Sequence, residues 1–230
     1  NVALPEVDGR ILARAVSFKG AAQRDAATET DVVAYEPVPD RIDFTADLAK
    51  SWARLRQTAI ADQRVAIILA NYPNRDGRIG NGVGLDTPAG VVTALTAMAQ
   101  AGYRIDGAPE DGDALVRRLQ DGPTNAGAVA RKIEESLPLP SYEIFFAALP
   151  RNVRDAVIER WGAPEQDPLF LAGHTDCGAF AIPAFRCGHV AIGLQPARGY
   201  NIDPSATYHD PDLVPPHNYL AFYAWVRESF

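Results

Sequence analysis

A glycine-rich stretch between two apolar runs is the first candidate for chemistry. It reads LANYPNRDGRIGNGVGLDTPAG over 69–90. A P-loop would require GxxxxGK followed by serine or threonine, because the lysine and hydroxyl act on phosphate and Mg²⁺, and this pattern is not found there. A Rossmann turn places its first glycine at the strand end, whereas Gly77 lies well beyond Asn71. The stretch therefore favours a loop that binds something other than a phosphate, with a connection that binds nothing as the alternative.

The histidines form a second constellation, because all four lie in the last quarter of the chain: His174, His189, His209 and His217. His174 stands beside Asp176 and Cys177 in AGHTDCG, which resembles half of a metal site but lacks a second half at known zinc spacing. A turn with local hydrogen bonds is the alternative there. The stretch YHDPDLVPPH offers two imidazoles and two aspartates, which are bases and borderline metal ligands, and an exposed polar loop is its alternative.

Composition and charge exclude several classes of partner. The net charge is −7 and no basic run is interleaved with aromatic residues, which argues against a nucleic acid. No apolar run approaches the roughly 20 residues that span a bilayer, and the start NVALPEVDGRI lacks the features of a secretory signal. We therefore expect a cytoplasmic protein with no membrane partner. Cys177 and Cys187 are expected to remain reduced thiols rather than to form a disulfide.

The apolar patterning predicts the elements that would position these residues. The run RVAIILAN at 64–71 is continuous and β-branched, which predicts a central strand buried on both faces. Asp86 or Thr87 can cap a following helix with Pro88 at its first position, and 88–101 is expected to pack on one face of the sheet. Further strands are predicted at 31–35, 103–105, 169–172, 180–185 and 190–194, and further helices at 46–61, 113–119, 126–137, 143–148, 153–161 and 218–228.

The order of these elements predicts an α/β fold: a parallel-sheet, Rossmann-like core with a helical insertion. The expected parts are an α/β portion with the glycine-rich loop at 1–122, the helical insertion at 123–165, and returning strands, a long polar loop and a closing helix at 166–230. Loops at the carboxyl edge of one sheet become neighbours. Glu6, the loop at 71–84 and the loop at 195–217 are therefore expected to converge on one cleft.

Three stretches of the chain resemble a known family. They read ALPEVDGRI at 3–11, ILANYPNRDGRIGNGVGLDTPAGVV at 68–92 and GLQPARGYNIDPSATYHDPDLVPPHNYLAFYAWV at 193–226. They look like the large, CobN-type subunit of the cobaltochelatases of aerobic cobalamin biosynthesis, which is related to the large subunit of magnesium chelatase. Large subunits of this family are several times longer, so the chain is expected to be a fragment of one, with a divergent short relative as the alternative. It departs from the family pattern at PHN, 216–218, where a pair of histidines is expected, and at His189, where asparagine is expected.

The resemblance implies an enzyme that forms nitrogen–metal bonds by ATP-driven insertion of Co²⁺ into hydrogenobyrinic acid a,c-diamide. Co²⁺ would be a substrate, and ATP with Mg²⁺ would be used by separate partners, an AAA+ ATPase subunit and its companion, in agreement with the lack of a Walker A motif. The isolated fragment is expected to be inactive. One alternative is a magnesium chelatase counterpart that handles a porphyrin. Another is a non-catalytic module for tetrapyrrole binding or docking. The stretch HDPDLVPPH favours the cobalt branch by resemblance.

The implied chemistry selects candidate residues. Insertion requires a site that desolvates a divalent ion and removes pyrrole N–H protons, so the predicted catalytic and metal-delivering residues are Glu6, His209 and His217. The ring is flat, apolar on its faces and edged with carboxylates, so it needs aromatic side chains against its faces and arginine or amide donors at its rim. The predicted substrate-binding residues are Asn71, Tyr72, Arg75, Arg78, Asn81, Gln195, Arg198 and Tyr200.

Overall fold

The computed structural model of this chain describes residues 9–21, 23–71, 76–200, 210 and 212–230. The chain divides into two units, Asn1–Ala59 and Ile60–Phe230, and both combine helices with strands. The α/β class predicted from the sequence is confirmed. Within the described ranges, no helix is long and apolar enough to cross a lipid bilayer.

The first unit consists of short strand pairs and one long helix. In chain order its elements are β1 (Ser17–Lys19), β2 (Gln23–Asp25), β3 (Thr30–Val32), β4 (Tyr35–Pro37) and α1 (Pro39–Gln57). β1 pairs antiparallel with β4, and β2 with β3. A single strand is expected at 31–35, but the structure has two strands there. β3 ends at Val32 and β4 begins at Tyr35. The helix expected at 46–61 is present as α1, which begins earlier and buries none of its residues.

The second unit holds the remaining elements, and the buried apolar side chains among the described residues all lie in it. In chain order they are β5 (Val65–Leu69), β6 (Asn81–Gly82), β7 (Leu85–Asp86), α2 (Thr87–Gln100), α3 (Gly112–Asp121), β8 (Glu135–Pro138), α4 (Leu139–Ala147), α5 (Arg151–Trp161), β9 (Phe170–Leu171), β10 (Ala179–Ile182), β11 (Ala184–Cys187), β12 (Val190–Leu194), α6 (His217–Ala224) and a π-helical turn (Trp225–Ser229).

The sheets of the second unit are small and largely antiparallel. One has the strand order β11-β12-β5, in which β12 is antiparallel to β11 and parallel to β5. Another has the order β8-β10-β9 and is antiparallel throughout. β6 and β7 form a short hairpin. Among the described residues β5 and β12 are thus the one parallel pair, and the predicted Rossmann-like parallel core is not confirmed.

β5 lies at the edge of its sheet rather than at the centre. It pairs in register with β12, from Val65 opposite Val190 to Leu69 opposite Leu194, and no second neighbour is found in the described part of the chain. Leu69 is buried in the core, whereas Ile68 is 37% exposed. The prediction of a strand buried on both faces is wrong here, because an unbroken apolar run does not determine how many neighbours a strand has.

α2 forms as predicted and packs on one face of this sheet. The Asp86 carboxylate accepts a hydrogen bond from the backbone N–H of Ala89 at 3.1 Å, which caps the helix. Pro88 stands in the first turn, where no backbone donor is needed. Val91 and Leu95 are buried against apolar residues of β5 and β12. Local capping signals therefore located the helix that follows the glycine loop.

α6 packs on the opposite face of β12 at very short distance. A Cβ atom added to Gly193 would lie 3.0 Å from Cζ of Phe222, so a larger residue at this position would crowd the ring. Phe222 and Trp225 join a core that includes Tyr142 and Phe180. The helix expected at 218–228 is thus present, although its last turn is π-helical.

The segment predicted as a helical insertion contains a strand. The helix expected at 126–137 is not formed, because Gly127 has φ +122° and Ala130 has φ 58°, outside the right-handed helical region. Residues 135–138 instead form β8, which pairs with β10. The helices expected at 143–148 and 153–161 are present as α4 and α5, and the one at 113–119 as α3. The strand expected at 103–105 is not formed.

Candidate functional site

Two of the predicted binding loops start side by side at the carboxyl ends of β5 and β12. Asn71 follows the first strand and Gln195 follows the second, and the Gln195 N–H donates to the Leu69 carbonyl at 2.9 Å. Because the two strands are parallel neighbours, both loops leave the sheet at the same edge. Ligands of open α/β sheets bind at this kind of edge.

Asn71 is the most unusual polar side chain at this edge. It is only 4% exposed, and among the described residues neither its amide nitrogen nor its amide oxygen has a hydrogen-bond partner. A buried polar group without a partner costs about 1–3 kcal/mol, so such groups are rare in native proteins and require an explanation. A bound molecule with hydrogen-bonding groups at its rim would satisfy both atoms.

The glycine loop folds into a shallow groove in front of α2. Gly80, with φ +66°, donates its N–H to the Ala70 carbonyl at 2.9 Å and turns the chain back. The groove has a volume of about 290 Å³, and Arg78 and Asn81 lie in its wall. At the hairpin tip, Val83 is 104% and Leu85 is 67% exposed. A guanidinium and an amide beside an apolar tip suit a ligand with apolar faces and a polar rim.

Arg198 and Tyr200 contact other residues and do not line this groove. Arg198 donates to the Leu213 carbonyl at 3.4 Å. The ring of Tyr200 lies with its centroid 4.6 Å from that of Trp161, and partial burial raises the pKa of its hydroxyl. These two residues therefore connect the start of the long polar loop to α5 and to the chain just before α6.

His217 lies in the protein interior with both ring nitrogens engaged. Its Nε2 is 3.0 Å from the Gly162 carbonyl, which can only accept, so Nε2 carries the hydrogen. Nδ1 therefore accepts from the Tyr142 hydroxyl at 2.6 Å. Burial lowers the pKa of His217, which keeps the ring neutral. In this arrangement neither nitrogen is available to bind a metal ion or to take a proton.

Asp167 fixes the first turn of α6 beside this histidine. Its carboxylate accepts from the backbone N–H of Asn218 at 2.9 Å, from the Asn218 side-chain amide at 3.0 Å and from the Leu169 N–H at 2.9 Å. Burial raises the pKa of Asp167, and the three hydrogen bonds act against that rise. Asp167 binds Asn218 and Tyr142 binds His217, so two separate buried contacts hold the start of α6 in place.

Several site predictions lie outside the described residues: Glu6, Tyr72, Arg75 and His209. Among the residues that the structure does describe, which include His174, Asp176 and Cys177, no group of three or more histidine, cysteine or acidic side chains is placed to hold a metal ion. Cys177 is exposed and Cys187 is buried, and both are free thiols, as expected. The roles of Glu6, His209 and His217 in metal insertion stay predictions.

Sequence patterns did not reveal the side chains that hold the two loops in place, which are Asp76, Gln120, Thr124, Asn125 and Arg131. Gln120 lies in α3. Thr124, Asn125 and Arg131 lie in the irregular segment that follows it, and of these only Arg131 falls within the helix expected at 126–137. The residues TNAG at 124–127 were a usable signal, because threonine, asparagine and glycine are typical of turns. Their hydrogen bonds to distant loops carry no such local signal.

Comparison with known proteins places this chain in a family. The family model described as CobN/Magnesium Chelatase matches residues 1–230. The chain is 59% identical over 230 residues to the aerobic cobaltochelatase subunit CobN of Sinorhizobium sp. and 51% identical over 232 residues to that of Pseudomonas aeruginosa. It is 31% identical over 234 residues to the H-type subunit of the magnesium chelatase of Chlorobaculum parvum.

A solved structure supports the same relationship. The catalytic subunit of cobaltochelatase from Mycobacterium tuberculosis matches 98% of this chain with a TM-score of 0.77 and 40% identity. The match covers 18% of that subunit. The alignments with the two CobN relatives include 100% of this chain but only 18% of each relative. The chain thus spans about a fifth of proteins of this kind, and it belongs to the CobN/magnesium chelatase family.

Proposed function

We propose that this chain is part of the tetrapyrrole-binding region of the large subunit of an ATP-dependent, cytoplasmic cobaltochelatase. The complete enzyme inserts Co²⁺ into hydrogenobyrinic acid a,c-diamide in aerobic cobalamin biosynthesis and is a ligase that forms nitrogen–metal bonds. Co²⁺ is a substrate of this reaction. ATP and Mg²⁺ are used by an AAA+ ATPase subunit and its companion subunit, and the fragment alone is inactive.

The observation that carries the proposal is the buried amide of Asn71 at the carboxyl end of β5, which has no partner among the residues that the structure describes. Its oxygen can accept from an amide of the corrinoid rim and its nitrogen can donate to a rim carboxylate or carbonyl. Arg78 and Asn81, which are exposed in the adjacent groove, provide further donors for the acidic rim. The apolar tip at Val83 and Leu85 provides a surface for an apolar face of the ring.

Metal insertion also needs groups that take protons and strip water from the ion. A carboxylate or a neutral imidazole can take the pyrrole N–H protons, and Glu6, His209 and His217 are the candidates. His217 could act only if its hydrogen bonds to Tyr142 and Gly162 opened. We assign the base role first to Glu6, with His209 as the next candidate.

The proposal is tested by titrating the complete large subunit with the metal-free corrinoid and following its visible absorption. Asn71→Leu keeps the side-chain volume but removes both hydrogen-bonding atoms, and we expect it to weaken binding by about tenfold or more, the scale of losing about 1.5 kcal/mol. Asn152→Leu, at an exposed position of α5, is the matched control and should bind as the wild type does. Equal affinities for wild type, Asn71→Leu and Asn152→Leu would remove Asn71 from the site.

Two alternative functions are tested by the same titration. Similarity to the magnesium-chelatase relative, at 31% identity, supports a porphyrin as the ring and Mg²⁺ as the metal, so a parallel titration with a metal-free porphyrin is included. Preference for the corrinoid is expected from the higher identity, 59%, to a cobaltochelatase subunit. Corrinoid binding that is never followed by insertion, even with all partners present, would favour a non-catalytic binding or docking module.

A further inference from the structure

The irregular segment between α3 and β8 contacts both loops that start at the carboxyl ends of β5 and β12. We name residues 124–131 the bridging segment. We infer that Arg131 and Asn125 in this segment are positioning residues, which hold the glycine loop and the loop after β12 in one fixed arrangement around the substrate. This inference rests on the proposed function and adds residues that the proposal itself does not use.

The first contact is made at Asp76, directly before the groove residues of the glycine loop. Arg131 forms an ion pair with its carboxylate at 2.6 Å, and the Thr124 hydroxyl donates to the other carboxylate oxygen at 2.7 Å. The Gln120 side-chain amide donates to the Asp76 backbone carbonyl at 2.9 Å. The side chain and the backbone of Asp76 are therefore both held, two residues before Arg78.

Arg131 is well suited to this contact because its guanidinium is a planar fork of donors. One terminal nitrogen binds Asp76, while the other donates to the carbonyls of Gln120 at 2.6 Å and Gly122 at 3.3 Å. The Arg131 and Asp76 side chains are 22% and 31% exposed, so water screens the pair only in part. Burial acts to raise the pKa of Asp76, but hydrogen bonds from Arg131 and Thr124 outweigh it and hold the pKa below its usual value.

The second contact is made by Asn125 at the loop after β12. Its amide nitrogen donates to the Gln195 carbonyl at 3.0 Å, and its amide oxygen accepts from the Ala197 N–H at 2.9 Å. The side chain thus binds this loop through both its donor and its acceptor groups, as a neighbouring strand would. Asn125 thus holds Gln195 itself and the residue directly before Arg198. Gln195 and Arg198 are both predicted to bind substrate.

The bridging segment is itself rigidly attached, as a positioning role requires. Thr124 and Gly127 exchange two backbone hydrogen bonds, at 3.1 and 2.9 Å, and the φ of +122° at Gly127 closes this turn. Thr124 is fully buried, and Ala128 packs against Leu169 and Ala181 of the neighbouring sheet. The segment therefore gives both loops a common, well-packed attachment.

Neither Arg131 nor Asn125 lines the groove of the glycine loop, so each acts on a ligand through the loops that it holds. A shift of about 1 Å in a binding group can cost up to about 10²-fold in rate. We therefore expect loss of either side chain to weaken corrinoid binding and to slow insertion together, while the apparent KM for MgATP stays unchanged, because ATP is used by the partner subunit.

The test uses the complete large subunit with its partners and measures corrinoid affinity, insertion kinetics and thermal stability. Arg131→Met and Asn125→Ala should each weaken corrinoid binding by about tenfold to a hundredfold, and Arg131→Lys should fall between Arg131→Met and the wild type. Arg118→Met is the matched control. Arg118 is also a partly buried arginine in an ion pair, with Glu134 at 2.8 Å, and within the described ranges it contacts neither loop. This variant should lose stability but keep the wild-type corrinoid affinity.

The outcomes separate this inference from the proposed function. If the wild type does not bind the corrinoid, the proposed function fails. If the wild type binds it and both Arg131→Met and Asn125→Ala stay within twofold of the wild-type affinity, the positioning role is wrong. Equal weakening by Arg118→Met would also overturn it, because general loss of stability would then explain the effect. If Arg131→Met does not fold, Asn125→Ala, at the other end of the segment, decides the question.

Discussion

Replacing His217 by phenylalanine is expected to remove a pH dependence from the local stability of α6. The ring of His217 is fully buried, and burial lowers its pKa from the ordinary value of 6.5. When α6 opens, the histidine regains that ordinary value and binds a proton more readily than in the folded state. The opened state therefore gains protons as the pH falls below 6.5, and the stability that His217 contributes above 6.5 is lost in that range.

The size of the effect follows from the proton binding of the opened state. At pH 5.5 an imidazole with a pKa of 6.5 is about ten times more often protonated than neutral, which favours opening by up to about 1.4 kcal/mol. Asp167 acts in the opposite direction: its raised pKa means that the folded state takes up a proton first as the pH falls. Because Asp167 is present in both proteins, its own contribution cancels in the difference between wild type and variant, apart from its electrostatic coupling to His217.

The assay is hydrogen exchange of the backbone amides at 218–224 in the complete subunit, corrected for the intrinsic pH dependence of exchange. Between pH 7.5 and 5.5, protection of the wild type relative to His217→Phe should fall by up to about tenfold. The single variant leaves the Tyr142 hydroxyl and the Gly162 carbonyl without the partner that His217 provides, so His217→Phe/Tyr142→Phe is the control that removes the first of these defects. Identical pH profiles for wild type and both variants would refute the neutral, buried assignment of His217.

Three further predictions concern other parts of the chain. Glu6→Gln should lower the cobalt insertion rate of the complete enzyme by about 10²-fold, the scale of losing a general base, with unchanged corrinoid affinity; near-normal insertion would transfer the base role to a histidine. Gly193→Ala should destabilise the protein by about 1–3 kcal/mol, measured by thermal unfolding, because the new methyl group lies 3.0 Å from Phe222; an unchanged melting temperature would contradict this packing. Iodoacetamide should modify exposed Cys177 and spare Cys187, whose pKa is raised by burial; mass spectrometry that finds equal labelling would contradict this.

Local signals in the sequence located the elements that depend on few residues. The cap at Asp86 and the proline after it predicted the start of α2 within a residue. The apolar run at 190–194 is β12 with the same bounds. Both predictions succeeded because the capping carboxylate and the buried strand each leave a mark within a few neighbouring positions.

Features that depend on distant partners were predicted poorly. The edge position of β5 depends on how many strands adjoin it, which its own apolar residues do not encode. β8 became a strand because it pairs with β10, about forty residues later in the chain. The contacts of Asp76 with Arg131 likewise arise only in the folded chain. Asn71 and Gln195 could be expected at one sheet edge because each directly follows a predicted strand.

A metal-insertion assay with the complete large subunit and its ATPase partners tests the proposed function most directly. Wild-type enzyme receives MgATP with either Co²⁺ and the metal-free corrinoid or Mg²⁺ and a metal-free porphyrin, and product absorption is followed with and without ATP. We predict ATP-dependent formation of the cobalt corrinoid, which Asn71→Leu reduces through weaker corrinoid binding and Asn152→Leu leaves unchanged. Formation of the magnesium porphyrin alone, or insertion that is indifferent to Asn71→Leu, would contradict the proposed function.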